Sequence, residues 1–308
     1  MESSAFSPIL IAGPTASGKS SLAVALAERA GGWVVNADSM QVYSGWHLLT
    51  ARPDAADENR APHCLYGHVD PGTRYSVGAW LREVTDLLGE ARAAGAVPVV
   101  VGGTGLCFAA LTRGLSTVPP TPDAVRAEAE DRLARQGAEA FRRDLLARDP
   151  AAAALDIENP RRMLRAWEVM EATGRSITDW ARETPPPILP LDAARAFVID
   201  ADRDTLVARI ERRFDGMVEG GMLDEVKAMA ARGLDPSLPA MKAVGAPPLM
   251  AHLQGEISLE DAVTQAKTDT RRYAKRQRTW LRNRMADWTR IPMGVSARDV
   301  LQSAGRKS

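Results

Sequence analysis

Residues 8–27 read PILIAGPTASGKSSLAVALA, and they carry the strongest indication of the fold. Residues 8–12 have the apolar, β-branched character of a buried strand, and residues 20–30 have helical spacing. Between them, GPTASGKS matches the phosphate-binding loop pattern, in which backbone N–H groups, a helix N-terminus and Lys19 converge on phosphate oxygens. The stretch therefore predicts a protein that binds a nucleotide or another diphosphate. The alternative is an ordinary glycine-rich turn.

Three further runs resemble the first strand: residues 33–36, 98–101 and 195–199. Helical spacing in residues 77–94 separates the strand at 33–36 from the strand at 98–101, which gives a β-α-β alternation. The pattern predicts an α/β fold with a doubly wound parallel sheet.

A helical insertion interrupts the predicted sheet. Residues 116–122 are rich in proline and threonine, and residues 123–184 contain helical patterns and no strand-like run. Prolines at 185–187 end these helices. We therefore predict a catalytic core in residues 1–118 and 190–308, an insertion in residues 119–189, and a purely helical C-terminal region from residue 204 onward.

Composition excludes an intrinsically disordered chain and an integral membrane protein. The chain has 308 residues, of which 45% are hydrophobic, so it is long and apolar enough to bury a large core. Basic and acidic residues balance at 39 each, so any polyanion must meet a local basic patch. Two cysteines, the absence of a secretion signal in residues 1–13 and the lack of a long apolar run predict a cytoplasmic protein with no membrane segment.

The phosphate loop alone does not imply hydrolysis of a triphosphate. The strand at 98–101 ends in Gly102-Gly103-Thr104-Gly105, without the magnesium-organising acid of motor and switch ATPases. The acid instead follows the second strand, at Asp38, where a carboxylate would face an acceptor nucleophile. For Asp38 alone, a turn or helix-cap role is an equal alternative.

Residues 267–290 form a concentrated basic segment, with nine basic and two acidic residues. Arg271, Lys275, Arg278 and Arg282 fall on one face of a helix. Acidic partners four residues away are nearly absent, which favours polyanion binding over an ordinary solvated helix.

Taken in order, the motifs of the chain resemble those of the bacterial tRNA dimethylallyltransferase family, over residues 9 to 290. The motifs are GPTASGKS (13–20), NADSMQVY (36–43), VVVGGTGL (99–106), ENPRRMLRAWEV (158–169), RFDGMVEGGMLDEV (213–226) and TRRYAKRQRTWLR (270–282). The resemblance implies transfer of a dimethylallyl group from dimethylallyl diphosphate, with Mg²⁺, to N6 of the adenosine 3′ of the anticodon, in tRNAs that read codons starting with U. It also implies a monomer that binds the anticodon arm.

The resemblance further implies roles for individual residues. Asp38 would be the general base, and Lys19, Thr104 and Arg213 would stabilise the leaving diphosphate. Ser20 would contact the metal ion, and the diphosphate would lie against Gly13, Pro14, Thr15, Ala16, Ser17, Gly18, Lys19 and Ser20. The tRNA would contact Asp38, Ser39, Met40, Gln41, Thr104, Arg126, Arg161, Arg162, Met163, Leu164, Arg165, Arg271, Lys275 and Arg278.

Four positions depart from the family pattern. Cys107 and Ala246 stand where tyrosines are usual, Arg161 replaces a glutamine, and His47-Leu48-Leu49 replaces an Asp-Ile-Gly sequence. The roles of the usual residues do not carry over to these positions.

Two other classes of function are compatible with the phosphate loop. A small-molecule kinase, or a transferase acting on free adenine nucleotide, would also use a phosphate loop, although neither needs the basic segment. A non-catalytic RNA-binding protein that senses nucleotide would need no base at Asp38. The four histidines lack metal-ligand spacing, and Cys64 and Cys107 are interpreted as small buried residues.

Overall fold

A computed structural model describes residues 7–303. Residues 1–6, which carry part of the secretion-signal prediction, and residues 304–308 lie outside the described residues. The chain divides into two compact units, Met1–Thr112 with Leu189–Ser308, and Arg113–Ile188.

The first unit contains a six-stranded parallel sheet with the order β3-β2-β4-β1-β5-β6. The four predicted strands are present, and the sheet has two more. The strands are β1 Ile9–Ala12, β2 Trp33–Asn36, β3 His63–Cys64, β4 Pro98–Gly102, β5 Arg195–Asp200 and β6 Thr289–Pro292. The prediction of a purely helical C-terminal region was therefore wrong at β6. In this edge strand only Ile291 is buried, so it lacks the apolar run of a central strand.

Helices cover both faces of the sheet. The helices of the two units together are α1 Lys19–Ala30, α2 Ala55–Glu58, α3 Val77–Ala93, α4 Gly105–Arg113, α5 Asp123–Arg148, α6 Pro160–Thr173, α7 Ile177–Arg182, α8 Arg203–Glu219, α9 Met222–Ala230, α10 Ala246–Leu253, α11 Leu259–Arg284 and α12 Ala297–Ser303. Within the described residues, no helix is both long enough and apolar enough to cross a bilayer.

Alternation along β1 explains the two-sided core. Ile9 and Ile11 pack with α1 and α12 on one face of the sheet, whereas Leu10 and Ala12 pack with α3 and α4 on the other. Because all six strands are parallel, their carboxyl ends meet at one edge. The loops after β1, β2 and β4 therefore lie side by side, which is where α/β proteins bind ligands.

The second unit is helical and has its own core. It consists of α5, α6, α7 and a 3₁₀ turn at Pro150–Ala154, packed around Phe141, Leu145 and Trp167. α5 is interrupted at Gly137, whose φ of 78° lies outside helical geometry and kinks the helix.

Candidate active site

The loop after β1 folds into a cradle at the N-terminus of α1. Ala16 (φ 62°) and Gly18 (φ 87°) both adopt left-handed backbone conformations. Two of the loop amides bond within the protein, since the Thr15 N–H donates to the Gln277 Oε1 and the Ser17 N–H donates to the Pro14 carbonyl. A non-glycine residue in this conformation stores strain of about 1–2 kcal/mol, as functional loops often do. Gly18 supplies no side-chain cap to α1, so the helix N-terminus remains open to an anion.

Two cations lie in this cradle. The Lys19 ammonium donates to the Pro14 carbonyl at 3.3 Å, and the Arg213 Nη2 donates to the Thr15 hydroxyl oxygen at 2.6 Å. Burial lowers the pKa of Lys19 to about 8, although the Asp38 carboxylate partly opposes this shift. Burial also lowers the pKa of Arg213, again against the influence of Asp38. Both groups therefore gain from a bound anion that compensates their lost hydration.

Asn36 fixes the backbone of Asp38. Its Oδ1 accepts from the Asp38 N–H at 2.8 Å, and its Nδ2 donates to the carbonyls of Asp38 and Leu65 at 3.0 Å each. The Asp38 Oδ1 then accepts from the Met40 N–H at 2.9 Å. Within residues 7–303, the other carboxylate oxygen, Oδ2, makes no hydrogen bond, so it is available to a substrate.

Thr104 links the loop after β4 to the Asp38 loop. Its Oγ1 accepts from the Ser39 N–H at 3.0 Å, and its hydroxyl donates to the Ser39 Oγ at 3.2 Å. Tyr273 of α11 lies beside this pair, and burial followed by the charge of Asp38 raises the pKa of its phenol. Tyr273 therefore stays a neutral hydroxyl next to the carboxylate.

A cavity of about 60 Å³ brings several predicted site residues together. Asp38, Met40, Thr15 and Arg213 all line it, and the remaining lining residues are Leu49, Thr50, Ile210, Phe214, Met217, Val244, Thr270 and Tyr273. Gln41 is not among these lining residues. Its amide instead donates to the carbonyls of Thr50 and Ala51, both at 2.8 Å, and so holds the loop that forms one wall.

The basic segment is only partly free of acidic partners. Lys267 and Arg271 pair with Asp215 and Glu211 of α8, each at 2.5 Å. These partners lie on another helix, so the residue spacing within α11 does not reveal them. Lys275, Arg278 and Arg282 make no ion pair within the described residues, and they line a cavity of about 420 Å³ beside Pro14. The free positive charge therefore lies on the C-terminal half of α11.

The helical unit presents arginines from α5 and α6. Arg126 and Arg162 pair with the neighbouring carboxylates of Asp123 and Asp156, and Arg165 donates to the Thr121 hydroxyl at 2.6 Å. The Arg161 side chain is exposed and makes no contact of this kind within residues 7–303. These four cations are at least partly accessible to solvent.

Met163 and Leu164 differ from the arginines around them. Met163 is 1% exposed and packs inside the helical unit, and Leu164 is a partly buried residue against the same core. The burial of Met163 corrects the expectation that its side chain contacts tRNA directly, because an apolar side chain at this position is needed to fill the core.

Three residues that hold the site were not predicted from the sequence. Asn36 lies within a motif, and a polar residue at the end of a buried strand is the signal that indicates a specific role for it. Glu225 accepts from the N–H groups of His47, Leu48 and Leu49 at 2.8, 2.7 and 3.0 Å, which fixes the wall of the cavity. Gln277 is buried on the inner face of α11, and no spacing rule identifies it.

Comparisons with known proteins identify the family of the chain. Two family models match, "IPP transferase" over residues 41–284 and "Isopentenyl transferase" over residues 7–60. A tRNA dimethylallyltransferase of Dinoroseobacter shibae is 54% identical over 94% of this chain and 96% of its own length. Another, of Bradyrhizobium sp. strain BTAi1, is 54% identical over 91% of this chain and 93% of its own.

Solved structures are also similar. The tRNA isopentenylpyrophosphate transferase of Bacillus halodurans matches with a TM-score of 0.69 and 34% identity, over 97% of this chain and 94% of its own. A eukaryotic dimethylallyltransferase described as acting on tRNA matches with a TM-score of 0.79 and 26% identity, over 94% of this chain and 74% of its own.

Proposed function

The chain belongs to the IPP transferase family, among the tRNA dimethylallyltransferases, and on this premise we propose that it is a transferase that prenylates tRNA. The donor is dimethylallyl diphosphate, and the acceptor is N6 of the adenosine at position 37, next to the anticodon, in tRNAs that read codons starting with U. The observation that carries the proposal is that the Asp38 carboxylate, the phosphate-loop residue Thr15 and the cation Arg213 line one cavity.

The phosphate loop holds the diphosphate of the donor. Lys19, the open N-terminus of α1 and the Thr15 hydroxyl stabilise its negative charge, and Arg213, which is hydrogen-bonded to Thr15, adds a second cation. The buried Ser17 hydroxyl has no partner within the described residues, so it is a polar group that the folded protein itself leaves unused. Phosphate oxygens accept hydrogen bonds and carry negative charge, so they suit these donors.

The residues present also fit Mg²⁺. Within residues 7–303 no cluster of three or more His, Cys, Asp or Glu side chains forms a metal cage, and Ser20, in the first turn of α1, offers one hydroxyl oxygen. This donor set suits Mg²⁺, which commonly takes few protein ligands and completes its shell with phosphate oxygens and water. When bound, the ion would neutralise charge that develops on the leaving diphosphate.

Asp38 acts on the acceptor. The exocyclic amine is a weak nucleophile, because its lone pair is delocalised into the purine ring. As N6 forms its bond to the allylic carbon, the bond from that carbon to the diphosphate oxygen breaks, and the N6 proton passes to the free Oδ2 of Asp38. To reach this cavity the base leaves its stack, and Met40 lies against it there.

The tRNA lies along the basic half of α11 and contacts the arginines of the helical unit. Lys275 and Arg278 carry most of the phosphate contact on α11, because Arg271 is already paired with Glu211. The helical unit contributes Arg126, Arg161, Arg162 and Arg165. The proposal needs one copy of the chain.

Substitution of the carboxylate tests the proposal. With radiolabelled dimethylallyl diphosphate and tRNA, we expect Asp38→Asn to lower kcat by about 10²–10⁴-fold while the affinity for tRNA changes little. Asp86→Asn, an exposed substitution on α3, is the matched control. If Asp38→Asn transfers the label as fast as wild type, Asp38 is not the base. If wild type transfers no label, the proposed function fails.

A further inference from the structure

Gln277 is a buried amide in the middle of the basic helix α11. It is 6% exposed, and it lies between Arg276 and Arg278 in sequence, on the helix face that is turned toward the sheet. Burying an amide is unfavourable unless its polar atoms form hydrogen bonds, so we expect both ends of this amide to have partners.

Both ends of the amide bind backbone groups at the ligand edge of the sheet. The Oε1 accepts from the Thr15 N–H at 2.9 Å, and the Nε2 donates to the Gly103 carbonyl at 3.0 Å. Thr15 follows β1 and Gly103 follows β4, which are neighbouring parallel strands. An amide accepts and donates from one planar group, which suits two backbone partners of opposite type.

The neighbouring glycines leave space for this contact. A Cβ atom on Gly103 would lie 2.2 Å from the Gln277 Nε2, and one on Gly105 would lie 2.1 Å from the ring of Trp280. Gln277 and Trp280 are three residues apart, on one face of α11. The loop after β4 is therefore shaped to receive α11 at these two residues.

The contact with Gln277 changes what Thr15 offers to the donor. Its N–H is already used by Gln277, and its Oγ1 already accepts from Arg213 at 2.6 Å. The remaining donor is the hydroxyl hydrogen. The two contacts hold the Thr15 backbone and the Oγ1 in place, which limits the directions in which this hydrogen can point. Thr15 therefore acts through its hydroxyl, not through its amide as a simple phosphate-loop donor would.

We propose that Gln277 is a positioning residue, which aims the Thr15 hydroxyl at the diphosphate and fixes the donor subsite relative to the acceptor subsite. On the donor side it holds Thr15. On the acceptor side it holds Gly103, whose neighbour Thr104 binds the N–H of Ser39, next to Asp38. This inference rests on the proposed function.

A double-mutant cycle tests the inference. A misplacement of about 1 Å lowers turnover by about 100-fold, so we expect Gln277→Ala to lower kcat by that order with the tRNA KM changed less than about twofold. If Gln277 acts in part through the Thr15 hydroxyl, the double variant Thr15→Ala with Gln277→Ala loses less kcat than the product of the two single losses. Independent, multiplying losses would overturn the inference, as would a wild-type kcat for Gln277→Ala.

Gln277→Glu preserves the size of the side chain and separates positioning from folding. It keeps an acceptor for the Thr15 N–H but removes the donor to Gly103 and adds an anion, so we expect at least the loss of kcat seen in Gln277→Ala. Gln265→Ala, an exposed substitution on the same helix, is the control and keeps wild-type kcat. A loss that only follows the folded fraction, measured by thermal melting, would overturn the inference.

Calorimetry with inorganic pyrophosphate separates this inference from the proposed function. We expect Gln277→Ala to weaken pyrophosphate binding about tenfold, since one directed hydrogen bond to a charged group is lost, and Gln265→Ala to leave it unchanged. If wild type fails to prenylate tRNA, the proposed function fails while this result still supports the Gln277 assignment. Equal pyrophosphate affinity in wild type and Gln277→Ala overturns that assignment.

Discussion

The buried ammonium of Lys19 makes an alkaline loss of activity the most quantitative expectation. Burial lowers the pKa of Lys19 to about 8, and the nearby Arg213 adds to the shift while Asp38 opposes it. The charged form binds the diphosphate, so activity is present below this pKa and is lost as the pH rises through it. One pH unit above the pKa leaves about a tenth of the side chains protonated, so kcat/KM for the donor falls about tenfold between pH 7 and pH 9.

The assay measures prenyl transfer at subsaturating donor, from about pH 6.5 to about pH 9.5, because kcat/KM reports groups that titrate before the donor binds. Lys19→Arg keeps its charge across this range, so we expect a lower but pH-independent kcat/KM on the alkaline side. Lys227→Arg, on the exposed surface of α9, is the control and keeps the wild-type profile. An alkaline limb of unchanged position in Lys19→Arg would refute the assignment to Lys19.

Three further outcomes follow from the geometry. Arg213→Met removes the cation that is hydrogen-bonded to Thr15, and we expect kcat to fall by about 10²–10³-fold in single-turnover assays, a larger change than that in KM for tRNA. The double change Lys275→Ala and Arg278→Ala reduces the slope of log affinity against log salt by about 1.5, measured by filter binding to tRNA; an unchanged slope would remove α11 from the tRNA surface. Glu225→Ala leaves three backbone N–H groups without their carboxylate, and we expect a loss of about 1–3 kcal/mol in urea unfolding, whereas a wild-type midpoint would contradict that role.

The central strands were predictable because their signals are local. Residues 8–12 and 98–101 form continuous apolar runs, and a parallel strand buried on both faces requires such a run. β3 is only two residues long, and β6 shows a single buried side chain, so neither carries that signal. Their pairing with β2 and β5 is decided by tertiary contacts that periodicity does not report.

The site also contains residues with a local sequence signal and residues without one. The phosphate loop and Asp38 could be predicted because fixed spacing and strand ends point to them. The acidic partners of Lys267 and Arg271 were missed because they lie on α8, more than 50 residues earlier in the chain. Gln277 was missed because its partners are backbone groups of two distant loops, and the polar sequence around it resembles a solvated helix.

In the proposed function, the phosphate loop serves prenyl transfer to RNA rather than phosphoryl transfer. Mass spectrometry of nucleosides from tRNA incubated with the protein, Mg²⁺ and dimethylallyl diphosphate tests it most directly, beside a parallel reaction that contains ATP instead. We predict N6-dimethylallyladenosine in the first reaction and no ADP formation in the second. An unmodified nucleoside profile, together with ADP that forms only when a small-molecule acceptor is added, would contradict the claim and identify a kinase.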